Sequence, residues 1–305
     1  MPDVEAASEI VRTASSHFLG TAIKRDRRHA HKDDGTLVTQ TDGAIQAFVE
    51  TALGETYPAI PFIGEEMVHA RQLEVLDGAR RFWVLDPLDG TTNFVAGFPF
   101  YGISLAPVED DAIVLGVVHD PIRGETFTAV QGQGARLNGE PLCPDAPDRL
   151  GQCVANIDYK RLTRQVAERL VRAPPYRSQR NLGSCVLEWC WLAAGRFQLY
   201  LHGGQRLWDF AAGSLVLAEA GGVARGFEGG VLTCDSLSKR SVIAAVTPAL
   251  FEQWNAWIAR RAAWPRAVPG RRIPEPGGRR GGRRGGRSLS PGSKSFTGSS
   301  FSRWA

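Results

Sequence analysis

Trp83-Val84-Leu85-Asp86-Pro87-Leu88-Asp89-Gly90-Thr91-Thr92-Asn93-Phe94 is the most informative stretch of this 305-residue chain. An apolar run of strand length ends in two carboxylates, Asp86 and Asp89, set three residues apart around Pro87 and Gly90. In a tight turn fixed by that proline and glycine, both carboxylates can converge on hard cations, and the Leu88 carbonyl between them adds a neutral oxygen. Magnesium takes oxygen ligands at about 2.0–2.1 Å and keeps several waters, so two or three carboxylates and a phosphate suffice. Gly90-Thr91-Thr92 then offers backbone N–H groups and two hydroxyls, a cradle for phosphate if a helix begins there. The same five residues, 86–90, also suit a solvated surface turn. The buried type of strand before them and the Thr-Thr-Asn-Phe run after them favour the site.

Working outward, Tyr101–Pro107, Ala112–His119 and Glu125–Val130 are further apolar runs of strand length. Turn-forming clusters, Glu109-Asp110-Asp111 and Asp120-Pro121, separate them, and the whole reads as an antiparallel meander. Before the decisive stretch, helical spacing runs over Val4–Arg25 and again over Asp42–Leu53, with a polar loop, His29–Gly35, between. The short apolar Pro61-Phe62-Ile63-Gly64 ends in a second acidic pair, Glu65-Glu66, which alone is equally a solvated strand end. Beyond the meander, helices are expected at Thr163–Val171, Ser184–Ala194, Asp209–Ala220 and Pro248–Arg261, and strands at Phe197–Leu201 and Ser241–Val246. Asp209 stands where a helix N-cap belongs, and Ala211-Ala212-Gly213 after it would let that helix pack closely on a neighbour.

The charge is unevenly spread. Lys and Arg total 36 against 32 Asp and Glu, but 12 of the bases and one acid, Glu275, fall between Arg260 and Ala305. The body is left with 24 bases against 31 acids, net −7, which does not fit a nucleic-acid-binding domain. Residues 264–305 repeat Gly-Gly-Arg-Arg and then run into serine; such a tail cannot bury a core and is expected to be disordered. The five cysteines show no CxxC spacing, which argues for reduced thiols in a cytoplasm. No stretch is apolar enough to span a membrane. The acidic start, Met1-Pro2-Asp3-Val4-Glu5, is unlike a signal peptide.

Three segments together, Gly64-Glu65-Glu66, Asp86 through Phe94, and Trp208-Asp209 through Glu219-Ala220-Gly221-Gly222, resemble the inositol monophosphatase family. These are magnesium-dependent, lithium-sensitive phosphatases. Asp34-Gly35-Thr36-Leu37-Val38-Thr39-Gln40-Thr41-Asp42 and Asn181-Leu182-Gly183-Ser184 match as well, so the resemblance covers the body to about residue 260. It implies an α/β (α+β) fold, a layered α-β-α-β-α sandwich. The catalytic domain would be 1–263, with halves of about 1–150 and 151–263. It implies two to three Mg²⁺ ions: one on Glu65, Asp86 and the Leu88 carbonyl, a second on Asp86, Asp89 and Asp209, and a weaker third leaning on Glu65. Glu65 and Thr91 would orient and deprotonate the attacking water, with Asp42 supporting Thr91. The substrate, a small phosphate ester, would lie against Leu88, Asp89, Gly90, Thr91 and Thr92, and against Gly183, Ser184, Cys185, His202 and Asp209. The loop His29–Gly35 would close over the site, and its Lys32 is as readily a solvated lysine as a phosphate ligand. The resemblance further implies a homodimer.

The sequence departs from the family at two places. Seven residues before Asp209, where many members carry a glutamate that binds inositol hydroxyls, stands His202, and the small alanine common after Gly183-Ser184 is Cys185. Both changes argue against inositol 1-phosphate as a clearly preferred substrate. Histidinol phosphate, fructose 1,6-bisphosphate and 3′-nucleotides remain open as substrates, because the shared motif binds only metal and phosphate. A different class of function, RNA association, would have to act through the Arg/Gly tail.

Overall fold

A computed structural model describes residues 2–20, 29–31 and 37–259 of the chain. Lys32, the end of the first expected helix and the tail at 264–305 lie outside the described residues.

The elements follow the chain as α1 (Val4–Ser15), β1 (His29–His31), β2 (Leu37–Thr39), α2 (Gln40–Thr56), β3 (Phe62–Gly64), α3 (His69–Gly78), β4 (Arg81–Asp89), α4 (Thr91–Ala96) and β5 (Gly102–Glu109). Next come β6 (Ala112–Ile113), β7 (Leu115–Asp120), β8 (Glu125–Val130), β9 (Ala135–Leu137), β10 (Glu140–Pro141), β11 (Val154–Asp158), α5 (Arg164–Arg172) and β12 (Ser178–Arg180). The last are α6 (Cys185–Ala193), β13 (Leu199–Gln205), α7 (Leu207–Glu219), β14 (Val223–Arg225), β15 (Arg240–Ala245) and α8 (Pro248–Ala259). The larger sheet runs β10-β9-β8-β7-β5-β4-β3, with β6 attached to β5; its pairs are antiparallel except β3 beside β4. The smaller sheet, β12-β11-β13-β15-β14, is mixed, because β11 runs parallel to both its neighbours.

Strand alternation divides the core in two. Trp83, Leu85, Ile103 and Leu105 face one cluster with Val11 and Ala14 of α1 and Ile45 and Val49 of α2. Phe82, Val84, Ala106 and Val108 face the other, with Trp189 and Leu192 of α6, Phe210 and Val216 of α7, and the inner residues of the smaller sheet. Helices α5 and α8 cover that sheet's far side, tied together where the Arg169 guanidinium donates to the carbonyls of Trp257 and Ile258. The layers are therefore α-β-α-β-α. In the middle layer α7 crosses α6 where Gly213 meets Trp189, so closely that a Cβ would lie 2.3 Å from that tryptophan's.

Four details differ from the sequence reading. Residues 86–90 do not form a tight turn: β4 continues to Asp89, with Asp86 opposite Ser104 and Asp89 opposite Gly102, an extra residue being absorbed in a bulge. Pro87 lacks the N–H a regular ladder needs, and a bulge accommodates it. His29–His31 is a strand paired with β2, not loop. The strand expected at Phe197–Leu201 instead spans Leu199–Gln205, passing Gly203-Gly204 through a register shift, so His202 is a strand residue. Asp209 is not an N-cap. Arg206 holds that position and Asp209 sits one turn in, because Leu207 and Trp208 already belong to the buried face of α7.

Candidate active site

Asp86, Asp89 and Asp209 each place one carboxylate oxygen within 4.8 Å of the others'. The first two come from the bulged end of β4, and the bulge turns both toward the same side despite their odd spacing. The third comes from the first turn of α7, where its Oδ2 accepts the Arg206 N–H at 2.8 Å. Asp89 Oδ2 accepts the Ser184 hydroxyl at 2.7 Å and the Val186 N–H at 2.8 Å, so the start of α6 fixes its direction. Asp86 is buried; Asp89 and Asp209 keep an edge exposed to a cleft of about 670 Å³. Burial first, then mutual repulsion and the charge of Glu65, push the Asp209 carboxyl up to about 8. Burial, with a smaller contribution from Glu65, pushes Asp89 up to about 6. A group of acids that resist ionising together attracts a divalent cation, and oxygen-only donors suit a hard one.

Glu65 follows β3, where its N–H donates to the Leu85 carbonyl at 3.1 Å, and it lines the same cleft. Its partner in sequence, Glu66, is turned to Gln46, whose Oε1 accepts the Glu66 N–H at 2.9 Å. Thr91 opens α4 after Gly90, which holds φ +88°; a Cβ at Gly90 would also press on Tyr101 and Ser184, so glycine is required twice over. The Thr91 hydroxyl lies 3.2 Å from Asp42 Oδ1 and 3.0 Å from the Leu88 carbonyl. Having one proton, it can donate to only one of them at a time. Asp42 is itself buried and held at the start of α2, its Oδ2 accepting the Thr39 N–H at 2.9 Å and the Thr39 hydroxyl. Burial shifts its carboxyl upward.

The opposite wall is formed by α6 and β13. Asn93 joins the two sides: its Nδ2 donates to the carbonyls of Phe100 at 2.7 Å and Leu182 at 2.8 Å. Gly183, Cys185 and His202 line the cleft with Thr92, while Ser184 is buried behind them. His202 Nε2 sits 3.3 Å from Asp158 Oδ2 and 3.7 Å from Cys185 Sγ. Burial holds the imidazole below its ordinary range and pushes the Cys185 thiol well above its own, so both are neutral near pH 7.

Three groups here escape the sequence reading. Glu188 is buried on α6; its Oε1 accepts the N–H groups of Leu182 and Gly183 at 3.1 and 2.9 Å, and its Oε2 accepts the Tyr200 hydroxyl at 2.9 Å. Burial raises it to about 7. Asp158 ends β11, and Arg161 reaches back to it at 3.0 Å. Their separation along the chain leaves no signal of spacing. Conversely, Glu219 of the third motif lies away from the cleft. Its two oxygens accept the N–H groups of Gly132 and Gly134 at 2.8 Å each, a structural clamp.

Comparison with known proteins gives a consistent picture. The sequence profile of the Inositol monophosphatase family matches residues 2–262. Inositol monophosphatase 1 of Solanum lycopersicum is 37% identical over 260 residues, covering 77% of this chain and 92% of the tomato protein. Among solved structures, an IMPase of Thermotoga maritima superposes with a TM-score of 0.73 at 29% identity, covering 83% of this chain and 95% of that one. The inositol monophosphate-bound SaIMPase-II of Staphylococcus aureus superposes with a TM-score of 0.70 at 26% identity, covering 83% and 91%. The chain belongs to the inositol monophosphatase family, a family of phosphatases.

Proposed function

We propose that this phosphatase is magnesium-dependent and hydrolyses small phosphate monoesters, inositol monophosphate or a related sugar or polyol phosphate. The observation that carries the reading is the convergence of Asp86, Asp89 and Asp209 within 4.8 Å, beside Glu65 and the Thr91–Asp42 pair. The donor set fits magnesium: Glu65, Asp86 and the Leu88 carbonyl would hold one ion, and Asp86, Asp89 and Asp209 a second, with Glu65 open to a third. Bound there, magnesium supplies charge that offsets the phosphate dianion and makes water more acidic.

The chain's own residues do the positioning. The Thr91 hydroxyl can give its proton to Asp42, and were the Leu88 carbonyl to hold a cation this would be its remaining acceptor; a Thr91 lone pair is then left to accept a hydrogen bond from water. Glu65, on the same side of the cleft, takes the proton from that water. The N–H groups that open α4 at Thr91 and Thr92 lack intrahelical partners and are available to the phosphate oxygens. No covalent nucleophile is needed, since phosphoryl transfer is mostly positioning and electrostatics, and the neutral Cys185 thiol is not suited to be one.

His202 in place of a carboxylate, and Cys185 beside Ser184, support a substrate range in which inositol 1-phosphate is not clearly preferred. A homodimer, a cytoplasmic location and lithium sensitivity belong to the same reading. No helix among the described residues is long and apolar enough to cross a membrane. Phosphate release from about a dozen esters, with and without Mg²⁺, tests the proposal. Mg²⁺-dependent turnover of several of them is expected, and no turnover of any would overturn it. A hundredfold preference for inositol 1-phosphate would overturn the substrate range alone.

A further inference from the structure

Glu65 stands in the turn between β3 and α3, and both peptide units that flank it are pinned at both of their polar ends. In the unit before it, the Glu65 N–H donates to the Leu85 carbonyl at 3.1 Å, and the Gly64 carbonyl accepts from Gln72 Nε2 at 2.7 Å. In the unit after it, the Glu65 carbonyl accepts from the same Gln72 Nε2 at a longer 3.4 Å, and the Glu66 N–H donates to Gln46 Oε1 at 2.9 Å. A peptide unit is planar, so holding the planes on both sides of a residue holds its φ and ψ, and with them the direction of its Cα–Cβ bond. Glycine at 64 is what lets Gln46 in: a Cβ there would lie 2.2 Å from Gln46 Oε1 and 2.7 Å from the Phe62 ring.

Gln72, buried on α3, is the centre of this arrangement. Its Nε2 has two hydrogens, and the carbonyls of Gly64 and Glu65 take them. Its Oε1 lies 3.3 Å from Nδ1 of His69, three residues earlier on the same face of the helix. An amide oxygen only accepts, so His69 Nδ1 carries the proton of that contact. Turning the amide over would set its oxygen against two carbonyl oxygens, which the structure avoids. Glu65, His69 and Gln72 all line the cleft. An apolar side chain would serve to pack α3 on β3; a buried amide whose bonds are spent on the segment that carries Glu65 points to orientation instead.

We infer that Gln72 is a positioning residue for Glu65, itself oriented by His69 and complemented by Gln46 across the turn. Gln72 acts on the backbone from which the Glu65 carboxylate extends, and so sets where that carboxylate meets the cation and the attacking water. This rests on the phosphatase reading above, in which Glu65 serves both, and adds to it the groups that aim Glu65.

Gln72→Met, which keeps the volume and removes both donors, tests this in the full chain. Titration calorimetry with Mg²⁺ alone gives a readout independent of turnover, and binding should weaken about tenfold or more. At saturating Mg²⁺, with whichever of the dozen esters the parent hydrolyses fastest, kcat should fall about tenfold while KM stays within about twofold. His69→Leu should lower kcat in the same way but less. His69→Asn should restore it, because the asparagine Nδ2 stands where the histidine Nδ1 stood and can donate to Gln72 Oε1. Val75→Ala is the control: it removes apolar packing from the same helix, leaves these hydrogen bonds in place, and should keep the parent's Mg²⁺ affinity and kcat. Circular dichroism and thermal melting set a temperature at which every variant is folded; if Gln72→Met does not fold, the two His69 variants carry the test. Parent-like Mg²⁺ affinity and kcat in Gln72→Met would overturn the inference. Equal losses in Gln72→Met and Val75→Ala would also overturn it, by reducing the effect to a general loosening of α3. A His69→Leu variant matching the parent, or a His69→Asn variant no better than His69→Leu, would overturn the role given to His69. A parent chain that neither binds Mg²⁺ nor turns over any ester would instead remove the phosphatase reading on which the inference rests.

Discussion

The two walls of the cleft hold buried carboxylates in opposite ways. On one side Asp86, Asp89 and Asp209 crowd together, so that like charges repel one another even where protein donors reach them. On the other, Glu188 is buried but finds two backbone N–H groups and a hydroxyl within 3.1 Å, and that hydroxyl accepts in turn from Gln205, whose Oε1 accepts from Trp189. On the proposed function the first arrangement would be completed by a cation; the second is complete in itself. On the proposed function the difference separates residues kept for chemistry from residues kept for structure, although burial by itself does not distinguish them.

The comparison predicts opposite responses to mutation. Asp209→Asn should lower turnover at least ~10³-fold, since the metal contributes several kcal/mol and each 1.36 kcal/mol is tenfold. In chelator the same variant should melt no lower than the parent, because a repelled charge has gone. Activity near the parent's would break the assignment. Glu188→Ala should do the reverse, losing about 3 kcal/mol of stability in urea titration as the N–H groups of Leu182 and Gly183 and the Tyr200 hydroxyl lose their partner. An unchanged unfolding midpoint would mean that water or a rearranged partner replaces the carboxylate.

Titration sharpens the contrast. Asp89 and Asp209, at about 6 and 8, bind protons in the folded state over a range where the unfolded carboxyls are ionised. Stability should therefore fall as pH rises from about 4 to 8. In chelator, melting temperature is expected to drop roughly 5 °C between pH 5 and pH 9. Saturating Mg²⁺ should largely abolish that drop, because the cation compensates the same charges. A metal-free melting temperature that rises over this range would contradict the crowding. The smallest effect is expected at Asp42→Asn, which leaves every proposed ligand in place and disturbs only the partner of Thr91. A roughly tenfold lower kcat with an unchanged Mg²⁺ requirement is expected, as for residues that orient a site from behind. A loss as large as that of Asp209→Asn would place Asp42 among the ligands themselves.

How legible the site was depended on sequence distance. Asp86, Asp89, Gly90 and Thr91 are contiguous, so strand, carboxylates and cradle could be read together, and the alternation of Trp83, Val84 and Leu85 was open to the same reading. Even there, a turn was expected where β4 in fact continues through a bulge: the proline that usually marks a turn is tolerated in a strand when an extra residue is accommodated. The segment His202-Gly203-Gly204 misled for a related reason. Two glycines read as the end of a strand, whereas here they allow Arg161 and Lys239 to approach the backbone. Asp158, Glu188 and Tyr200 gave no sequence signal, since no periodicity relates them.

What the sequence alone determined is the local chemistry: an apolar strand ending in paired carboxylates, a glycine followed by two threonines where a helix opens, helices with one apolar face, and a basic segment set apart from an acidic body. Those depend on neighbours along the chain. The tertiary structure alone decided which carboxylates share one point in space and which acid is satisfied internally. Charge interactions and hydrogen bonds act over a few ångströms, and only folding brings residues such as Asp89 and Asp209 within that range.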